Sequence, residues 1–366
     1  MKIAILTLPL NNNIGGILQA YALRNVLLSM GHEVVHIEHK NSLSVVHQSS
    51  SKFYSWWYTR RWVEQLVFRD SELKKHHKAT YNLRMSTSGI RDFVTKHVPL
   101  KILKDWKNYQ AENFDCIVIG SDQIWRPPYF PRIENAYLAF AATDTKLRKV
   151  AYAASFGVDH WEYSEEQTKR CGDLLRQFFA VSVREDSGVR LCKEQFGVDP
   201  KHLPDPTLLL DHTKYMELAG VTDADNHSEQ ALVSYILDRT EDKMMVVSRI
   251  CQEKGYVHVA AKRDEPSVEG WLTDFMKASF VVTDSFHGCV FAILFRKPFI
   301  AYGNKTRGLG RFQSLFKKFG LENRLVLGAS EIDAIKNEPI NWQTVDLRLA
   351  QERRLATDFL QMALAE

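Results

Sequence analysis

The first forty residues alternate apolar runs with polar loops in the order strand, loop, helix, strand. Residues 2–8 are apolar and β-branched, as in a buried strand, and residues 11–16 form a loop rich in Asn and Gly. Residues 17–30 repeat apolar side chains at helical spacing, Gly31 ends that helix, and residues 33–38 predict a second strand. Such a unit normally closes a parallel sheet.

The same alternation continues in two series on either side of a proline-rich junction. The first series predicts strands at 115–119, 149–154 and 180–184, with helices at 164–178 and from 184 to about 196. The second predicts strands at 231–237, 256–260, 280–283 and 299–301, with helices at 242–254, 269–277 and 286–295. Between them, Leu203-Pro204-Asp205-Pro206-Thr207 is the best domain boundary in the chain.

We therefore predict an α/β protein of two Rossmann-like, doubly wound domains that face each other across a cleft. Residues 1–204 form the first domain, 205–345 the second, and 346–366 a C-terminal helix. A basic, aromatic segment at about 52–104 interrupts the first domain and is predicted to be a helical insertion. Ligands of doubly wound sheets bind outside the carboxyl ends of the strands, so the loops there are the candidate site.

Composition and charge narrow the classes of function. Of the 366 residues, 45% are hydrophobic and 25% are charged, which is the mixture of a folded globular protein and excludes a disordered or collagen-like chain. The net charge of +4 is too small to indicate nucleic acid binding. The charge is uneven, because residues 52–104 hold twelve Lys or Arg and four Asp or Glu, a local +8 that leaves −4 on the rest.

Neither a disulfide framework, a metal site nor a membrane span is expected. The five cysteines show no short pairing: Cys116, Cys171, Cys192, Cys251 and Cys289. The opening apolar run is too short for a signal peptide, and the longest weakly charged stretch, 278–295, is interrupted by Asp284 and His287. We expect a cytoplasmic protein.

The strongest candidate for chemistry is the segment Thr283-Asp284-Ser285-Phe286-His287-Gly288, which follows an apolar strand. Ser285 can cap the next helix, whose free N–H groups and dipole favour an anion, and His287 falls in its first turn. A histidine there can donate to an anion or carry a proton near neutral pH. The equal alternative is a serine cap followed by a histidine that bonds a neighbouring loop.

Arg184 also stands at the carboxyl end of a predicted strand. A guanidinium in this position suits bidentate recognition of a carboxylate or phosphate. Taken alone, a local ion pair with Glu185 or Asp186 explains it slightly better. Further along, residues 303–311 place Lys305, Arg307 and Arg311 among three glycines, either as a mobile anion-binding loop or as a solvated one.

Two loops of the first domain offer ligand contacts of other kinds. Gly15-Gly16 would let a backbone approach a ligand closely, although a tight turn explains the pair equally well. Residues 120–125 combine Ser121, Asp122, Gln123 and Trp125, the mixture of carboxylate, amide and indole that binds sugar hydroxyls and stacks on a sugar ring. The alternative is a capped helix start with Trp125 in the core.

The basic aromatic segment 52–104 crowds Phe53, Tyr54, Trp56, Trp57, Tyr58 and Trp62 beside Lys and Arg. One interpretation is peripheral contact with an anionic inner membrane leaflet. The favoured alternative is a helical insertion packed on the first domain by its aromatic side chains.

Together these motifs resemble the polysaccharide pyruvyl transferase family. Six segments in the family's order carry the resemblance: 13–23, 120–125, 151–157, 183–185, 205–207 and 283–288. They span residues 2 to about 325, and only 52–104 has no counterpart. The resemblance implies a glycosyltransferase-B-like fold with the acceptor on the first domain and the donor, phosphoenolpyruvate, on the second. It also implies no cofactor beyond that donor substrate, no metal and no nucleic acid.

The implied reaction moves the enolpyruvyl unit of phosphoenolpyruvate onto two hydroxyls of a sugar, in a surface polysaccharide or its lipid-linked precursor. His287 matches the family's proposed general acid and Arg184 an arginine proposed to hold the donor. Asp122 is expected as a base or a sugar ligand. Some members carry an arginine where this chain has Ser285, so Lys305, Arg307 or Arg311 is expected to meet the donor's charge instead. Gly15, Gly16, Ser121, Gln123, Trp125, Ser285 and Gly288 are expected to line the substrates.

Two other functions remain compatible with the same architecture. One is a nucleotide-sugar glycosyltransferase, although no carboxylate for a ribose stands out near residues 284–288. The other is a two-lobed binding protein without catalysis, which the serine at position 285 supports and which Arg184 and His287 oppose.

Overall fold

The computed structural model describes residues 1–40, 88–130, 132–222, 230–261, 266–303 and 308–365, and they form two parallel sheets flanked by helices. The seven strands of the first sheet are β1 (Lys2–Leu6), β2 (Glu33–His39), β3 (Leu100–Leu103), β4 (Cys116–Ile119), β5 (Arg148–Ala154), β6 (Ala180–Val183) and β7 (Lys201–His202). Their order is β3-β2-β1-β4-β5-β6-β7. The four residues of β4 are all buried, because helices cover both faces of a parallel sheet.

The second sheet has five parallel strands in the order β12-β11-β10-β8-β9. They are β8 (Ala231–Tyr235), β9 (Val257–Ala260), β10 (Ala278–Thr283), β11 (Phe299–Tyr302) and β12 (Leu325–Val326). The chain reverses its direction of sheet growth between β8 and β10, which creates the crevice where ligands of doubly wound sheets bind. The predicted break between residues 204 and 205 lies between β7 and β8.

Eleven helices accompany the strands in the described ranges. They are α1 (Ile14–Ser29), α2 (Ser88–His97), α3 (Glu165–Leu175), α4 (Asp186–Leu191), α5 (His212–Ala219), α6 (Glu241–Lys254), α7 (Val268–Lys277), α8 (Phe286–Leu294), α9 (Gly310–Phe319), α10 (Ile332–Ile335) and α11 (Trp342–Leu364). Side-chain caps mark several starts, since Ser164, Thr240 and Ser267 each accept from a main-chain N–H of the first turn. Among the described residues, no helix is long and apolar enough to cross a membrane.

The predicted helical insertion at 52–104 is corrected where the structure describes it. Residues 88–97 are helical, but Leu100–Leu103 is a strand that pairs with β2 at the edge of the first sheet. β7 and β12 were also not predicted. β7 and β12 have two residues each, too few for the period of the sequence to reveal them. The aromatic cluster from Phe53 to Trp62 lies outside the described residues.

The two domains share one continuous hydrophobic cluster. Ile14, Ile17 and Leu18 of α1 belong to it, together with Phe93 of α2. From the second domain it takes its members mainly from α7 and α8, among them Val268, Trp271, Phe275, Phe286, Val290 and Phe291. This apolar contact therefore joins the two domains between the start of α1 and the start of α8.

The C-terminal helix α11 reaches both halves of the molecule. It begins at Trp342, four residues before the predicted start at 346, and Asn341 caps it, because the Asn341 side chain accepts from the N–H of Thr344 at 3.1 Å. Its last turns pack Phe359 and Leu360 into the cluster around β1, and its first turns pack Val345 into the cluster of the second domain. The helix thus acts as a strap across the two domains.

Two glycines permit the closest approaches between the domains. A Cβ at Gly15 would lie 2.2 Å from Nδ1 of His287, and its three nearest neighbours are Nδ1, Cγ and Cβ of that side chain. Gly308 has φ +88°, and a Cβ there would lie 1.8 Å from the carbonyl oxygen of Gly157. Neither separation is physically accessible to a side chain, so the interface requires glycine at both positions.

A histidine also lies at this interface. Nε2 of His202 is 3.1 Å from the carbonyl oxygen of Arg184 and 3.2 Å from Oγ of Ser314 in α9. Oγ of Ser314 in turn accepts from the N–H of Asp186 at 3.0 Å. Burial, reinforced by the charge of Lys318, lowers the pKa of His202 to about 4.

Gly15→Ala is expected to destabilise the protein by about 1–3 kcal/mol, because the new methyl overlaps the His287 ring. In a His287→Gly background, which removes the ring and also the Cβ that would lie 2.6 Å away, the same change should be neutral or stabilising by up to about 1 kcal/mol, since alanine is the better helix former. Thermal unfolding of the four proteins of this double-mutant cycle measures the coupling. Equal destabilisation in both backgrounds would show that Gly15 does not contact His287.

The stability of the protein is expected to fall in mild acid. Because the folded state lowers the pKa of His202 from 6.5 to about 4, the unfolded chain is protonated first and stability is lost as the pH falls through this window. His202→Gln should flatten the dependence by up to about 1.4 kcal/mol per pH unit. The buried His36, with a pKa of about 3, retains part of the slope. Denaturant titrations at pH 7, 6 and 5 measure it, and an unchanged slope would contradict the assignment.

Candidate active site

Polar loops at the carboxyl ends of four strands meet where the two domains face each other. They are residues 120–125 after β4, 155–157 after β5, Arg184 after β6 and 284–288 after β10. The carboxyl edge is the ligand edge of such sheets, so the structure places these loops where the sequence predicts a site.

Arg184 is buried at the centre of the site and is surrounded by carboxylates. Its Nη1 donates to Oδ2 of Asp205 at 2.8 Å, its Nη2 lies 3.5 Å from Oδ1 of Asp122, and its Nε lies 3.9 Å from Oε2 of Glu185. Burial lowers the pKa of Arg184, but the three carboxylates outweigh that effect and raise the pKa above its ordinary value. Nε and Nη2 make no hydrogen bond among the described residues, and both are buried facing the carboxylates of Glu185 and Asp122.

Asp205 connects the two domains through one carboxylate. Its Oδ2 accepts from Arg184 and from Oγ of Ser121 at 3.3 Å, and lies 3.5 Å from Nε2 of His287. Its Oδ1 accepts from the N–H and the hydroxyl of Thr207 at 3.0 and 2.7 Å. Burial alone would raise the pKa of Asp205, but the neighbouring His287 and Arg184 hold it well below its usual range. Asp205 therefore stays charged.

Sequence reasoning did not place Asp205 in the site. Its segment predicts a domain boundary, because two prolines flank the aspartate, and residues 205–207 also belong to the family resemblance. Its side chain is inaccessible to solvent and pairs with the two predicted residues of greatest interest, Arg184 and His287. An aspartate between two prolines at a domain junction was the available signal.

His287 comes from the second domain and stands against the first. The helix α8 begins at Phe286, so His287 lies in its first turn as predicted. The imidazole packs on Gly15 with its Nδ1 side and faces Asp205 with Nε2, which makes no hydrogen bond among the described residues. The ring is buried, and the two domains together fix its position.

Ser285 and Gly288 shape the start of α8. Oγ of Ser285 accepts from the N–H of Gly288 at 3.4 Å, which is the predicted cap. A Cβ at Gly288 would lie 2.3 Å from Oγ1 of Thr283, so glycine lets the helix lie against its own strand. Asp284 is structural instead, because it accepts from two main-chain N–H groups after β8 and from Lys243.

Asp122 faces Arg184 across the site from a strained turn. Its φ is +69°, a left-handed conformation that costs a non-glycine residue free energy and is often retained at functional sites. Its Oδ2 accepts from the Asn13 side chain at 3.2 Å, and a Cβ at Gly16 would lie 3.3 Å from the same oxygen. Gly16 thus adjoins Asp122, whereas Gly15 adjoins His287.

Gln123 and Trp125 lie on the far side of the same turn. Gln123 packs its amide on Gly157 and accepts from Arg126 at 3.4 Å. The expectation that Trp125 stacks on a sugar is wrong, because the indole has no accessible surface. It stacks on Tyr137 with centroids 5.0 Å apart and donates to the carbonyl of Ala136. The alternative, Trp125 in the core, is the observed one.

Arg311 is the cation that the second domain adds to the site. It is the second residue of α9, and its guanidinium lies 5.9 Å from the ring centre of Phe286, while that of Arg184 lies 4.4 Å from the same ring. Burial and the charge of Arg184 lower the pKa of Arg311 to about 10, so it remains charged at neutral pH. Lys305 and Arg307 lie outside the described residues.

Glu185 supports the loop after β5 rather than the ligand. Its Oε1 accepts from Oγ of Ser155 at 2.8 Å and from the N–H groups of Phe156 and Gly157 at 2.9 and 3.2 Å. Burial raises the pKa of Glu185, more than Arg184 lowers it. Within the described ranges, no group of three or more His, Cys, Asp or Glu side chains is arranged to hold a metal ion.

Solved structures with the same architecture confirm the fold. UDP-GlcNAc 2-epimerase of Methanocaldococcus jannaschii, in complex with UDP-GlcNAc and UDP, is 10% identical, and the match covers 97% of this chain and 99% of that one with a TM-score of 0.51. MnaA of S. aureus, in a co-structure with UDP, is 11% identical over 100% and 97% with a TM-score of 0.50. The predicted glycosyltransferase-B-like class is thereby confirmed. At these identities the likeness concerns the fold alone.

Sequence comparison identifies the family. The search of curated proteins finds no match to this chain. A family model described as polysaccharide pyruvyl transferase matches residues 13–306, which contain the loops that bring Arg184, Asp205 and His287 together. The chain therefore belongs to the polysaccharide pyruvyl transferase family, a family of transferases that modify polysaccharides.

Proposed function

We propose that the protein transfers the enolpyruvyl unit of phosphoenolpyruvate to two hydroxyls of a sugar, forming a cyclic pyruvate ketal and releasing phosphate. The observation that carries the proposal is the meeting of Arg184 and His287, one from each domain, at the carboxylate of Asp205. A cation with open donors beside a buried imidazole is what an anionic donor that must be protonated requires.

The donor's charge would be met from both domains. Phosphoenolpyruvate carries a phosphate and a carboxylate, and Arg184 offers Nε and Nη2 to one of them. Arg311 lies near the same Phe286 ring as Arg184 and would take the second anionic group. The first turn of α8, which follows Ser285 in the chain, adds the positive end of a helix dipole. Arg311 thus replaces the arginine that some members carry at the position of Ser285.

His287 is the proposed proton donor. In the reaction, a proton adds to the methylene carbon of phosphoenolpyruvate and leaves a cation-like centre at the carbon that bears the carboxylate and the phosphate oxygen. Asp205 fixes the orientation of the imidazole through Nε2. Because Gly15 lies against the ring from the first domain, the acid is positioned only when the two domains are together.

The sugar completes the exchange of bonds. One hydroxyl oxygen attacks the cation-like carbon and loses its proton to Asp122. The bond from that carbon to the phosphate oxygen breaks, and the second hydroxyl closes the ring and passes its proton to the departing phosphate. The proton taken up by Asp122 leaves to solvent, from which His287 regains one. Asp122 is suited to this role because its carboxylate is buried beside Arg184 and is held by Asn13. No cofactor beyond the donor substrate enters this scheme.

The acceptor class follows from the family, and its finer identity is part of the proposal. We take it to be a sugar of a surface polysaccharide or of its lipid-linked precursor, at the cytoplasmic face of the membrane. Part of the basic segment 52–104 would then contact the inner leaflet. Equal sedimentation of the protein with neutral and anionic vesicles would contradict that contact.

Calorimetric titration with phosphoenolpyruvate tests the donor site. Saturable binding is expected for the wild type and for His287→Ala, and about 100-fold weaker binding for Arg184→Ala, because a charged, buried donor is lost. Arg353→Ala is the matched control, since its guanidinium donates to the carbonyls of Leu208 and Leu210 outside the site.

The outcomes separate the three functions. Binding of a nucleotide sugar in place of phosphoenolpyruvate would support a glycosyltransferase. Binding of phosphoenolpyruvate without phosphate release, over a broad panel of acceptor glycans, would support a binding protein without catalysis. Binding equal to the wild type in Arg184→Ala would remove Arg184 from the donor site.

Phosphate release with pooled lipid-linked sugars tests the proton donor. His287→Ala is expected to lower kcat by about 10²–10⁴-fold with little change in donor affinity, as for loss of a general acid. Asp205→Asn should lower kcat less, because the imidazole remains but is no longer held by a charge. Full activity of His287→Ala would require another acid.

A further inference from the structure

A cavity of about 300 Å³ opens beside the candidate active site, at the carboxyl ends of β1 and β2. Leu6 and Thr7 line it from β1 and the residue after it, and Glu38 and His39 from β2. Further lining comes from residues 106, 129, 130, 132 and 135, on loops of the first domain. The donor scheme above uses none of these side chains.

Three aromatic side chains line this cavity, Trp106, Tyr129 and Phe130, and Tyr129 is the most exposed of them. Its side chain is 42% exposed, although it is large and apolar, whereas Trp125 in the same loop is fully buried. The guanidinium of Arg126 lies 5.0 Å from the ring centre and donates to the hydroxyl at 3.3 Å. Glu162 holds that guanidinium through two hydrogen bonds of 2.9 and 3.0 Å. The ring is thus fixed from one side and open on the rest.

Glu38 supplies the polar contact. It is the sixth residue of β2, it is 5% exposed, and it lines the cavity at the end of the strand. An ionised carboxylate accepts up to four hydrogen bonds and donates none, so it suits a ligand that presents hydroxyls. The adjacent amide of Asn135 can both donate and accept.

The cavity adjoins the reacting groups. Thr7 lines it and donates to the carbonyl of Ser121, the residue before Asp122. Tyr129 is close enough to Arg311 to raise the pKa of that guanidinium, although burial dominates and lowers it. A ligand in the cavity would therefore lie next to the loop that carries the proposed base, Asp122.

We propose that this cavity binds a neutral pyranose of the acceptor, with its apolar face on the Tyr129 ring and its hydroxyls on Glu38. A pyranose combines one apolar face with an edge of hydroxyls, which matches an aromatic wall beside a buried carboxylate. The assignment rests on the proposed function, since the sugar is the acceptor of that reaction. It makes Tyr129 the stacking platform that the sequence analysis expected at Trp125. The volume is at the lower end of ligand pockets and fits a ring of this size.

Saturation-transfer NMR on the full chain, without phosphoenolpyruvate, tests the cavity. The probes are methyl β-D-glucopyranoside, methyl β-D-galactopyranoside and methyl α-D-mannopyranoside. At least one of them should receive saturation from the wild type and from Tyr129→Phe. Tyr129→Ala should bind it on the order of tenfold more weakly, and Glu38→Gln should weaken it in the same direction.

Phe179→Ala is the matched control. Phe179 is 58% exposed and has the guanidinium of Arg148 at 4.8 Å from its ring centre. It precedes β6 and therefore lies at the amino ends of the strands, whereas the cavity lies at their carboxyl ends. Its loss should leave binding unchanged. Saturation unaffected by Tyr129→Ala, or absent for all three pyranosides, would overturn the assignment.

The failure of this inference is distinguishable from failure of the proposed function. Donor binding that depends on Arg184 together with pyranoside binding that ignores Tyr129 would leave the transferase intact and move the acceptor elsewhere. Pyranoside binding that depends on Tyr129, without any binding of phosphoenolpyruvate, would leave the sugar site and reject the donor.

Discussion

The carboxylate of Asp205 is the interaction on which the arrangement of the site depends. It accepts from Arg184 at the end of β6, faces His287 at the start of α8, and is anchored by Thr207 in its own segment. A buried carboxylate left without its partners would be strongly destabilising, so each contact is needed to keep the others. The packing of the two domains and the geometry of the candidate active site therefore depend on the same contacts of Asp205.

The buried charges also explain how the site can accept an anion. Asp122, Asp205 and Glu185 lie around Arg184, while Arg311 adds a second cation near the same Phe286 ring. The carboxylates keep Arg184 charged despite its burial, and Glu185 is occupied by the hydroxyl and N–H groups of residues 155–157. Two cations beside one apolar ring can contact two anionic groups of one ligand, which a single ion pair could not do.

The sequence predicted most of the fold because long elements carry strong periods. The boundaries of β4, β5 and α6 were predicted within one residue, and the start of α8 with its serine cap was predicted correctly. The strands β3, β7 and β12 lie at the sheet edges. β7 and β12 have only two residues, and β3 carries Lys101 among its four, whereas the equally short β4 is a continuous apolar run. Pairing with a neighbour in space decides such strands.

The sequence could predict those residues of the candidate site that directly follow a strand. Arg184, Asp122 and His287 follow strands and meet as expected, but the burial of Trp125 could not be read from its loop. Both Trp125 and Tyr129 are aromatic residues in one short segment, and only the packing of Tyr137 against the indole decides which one is in the core.

The same loop thus divides its aromatic side chains between two roles. Trp125 fixes the turn from below, which allows Asp122 to keep its left-handed conformation beside Arg184. Tyr129 stays outside, where Arg126 and Glu162 orient it toward the cavity. A rigid interior that supports an exposed ring is what a binding platform requires, because a ring that is already fixed loses little conformational entropy when a ligand stacks on it.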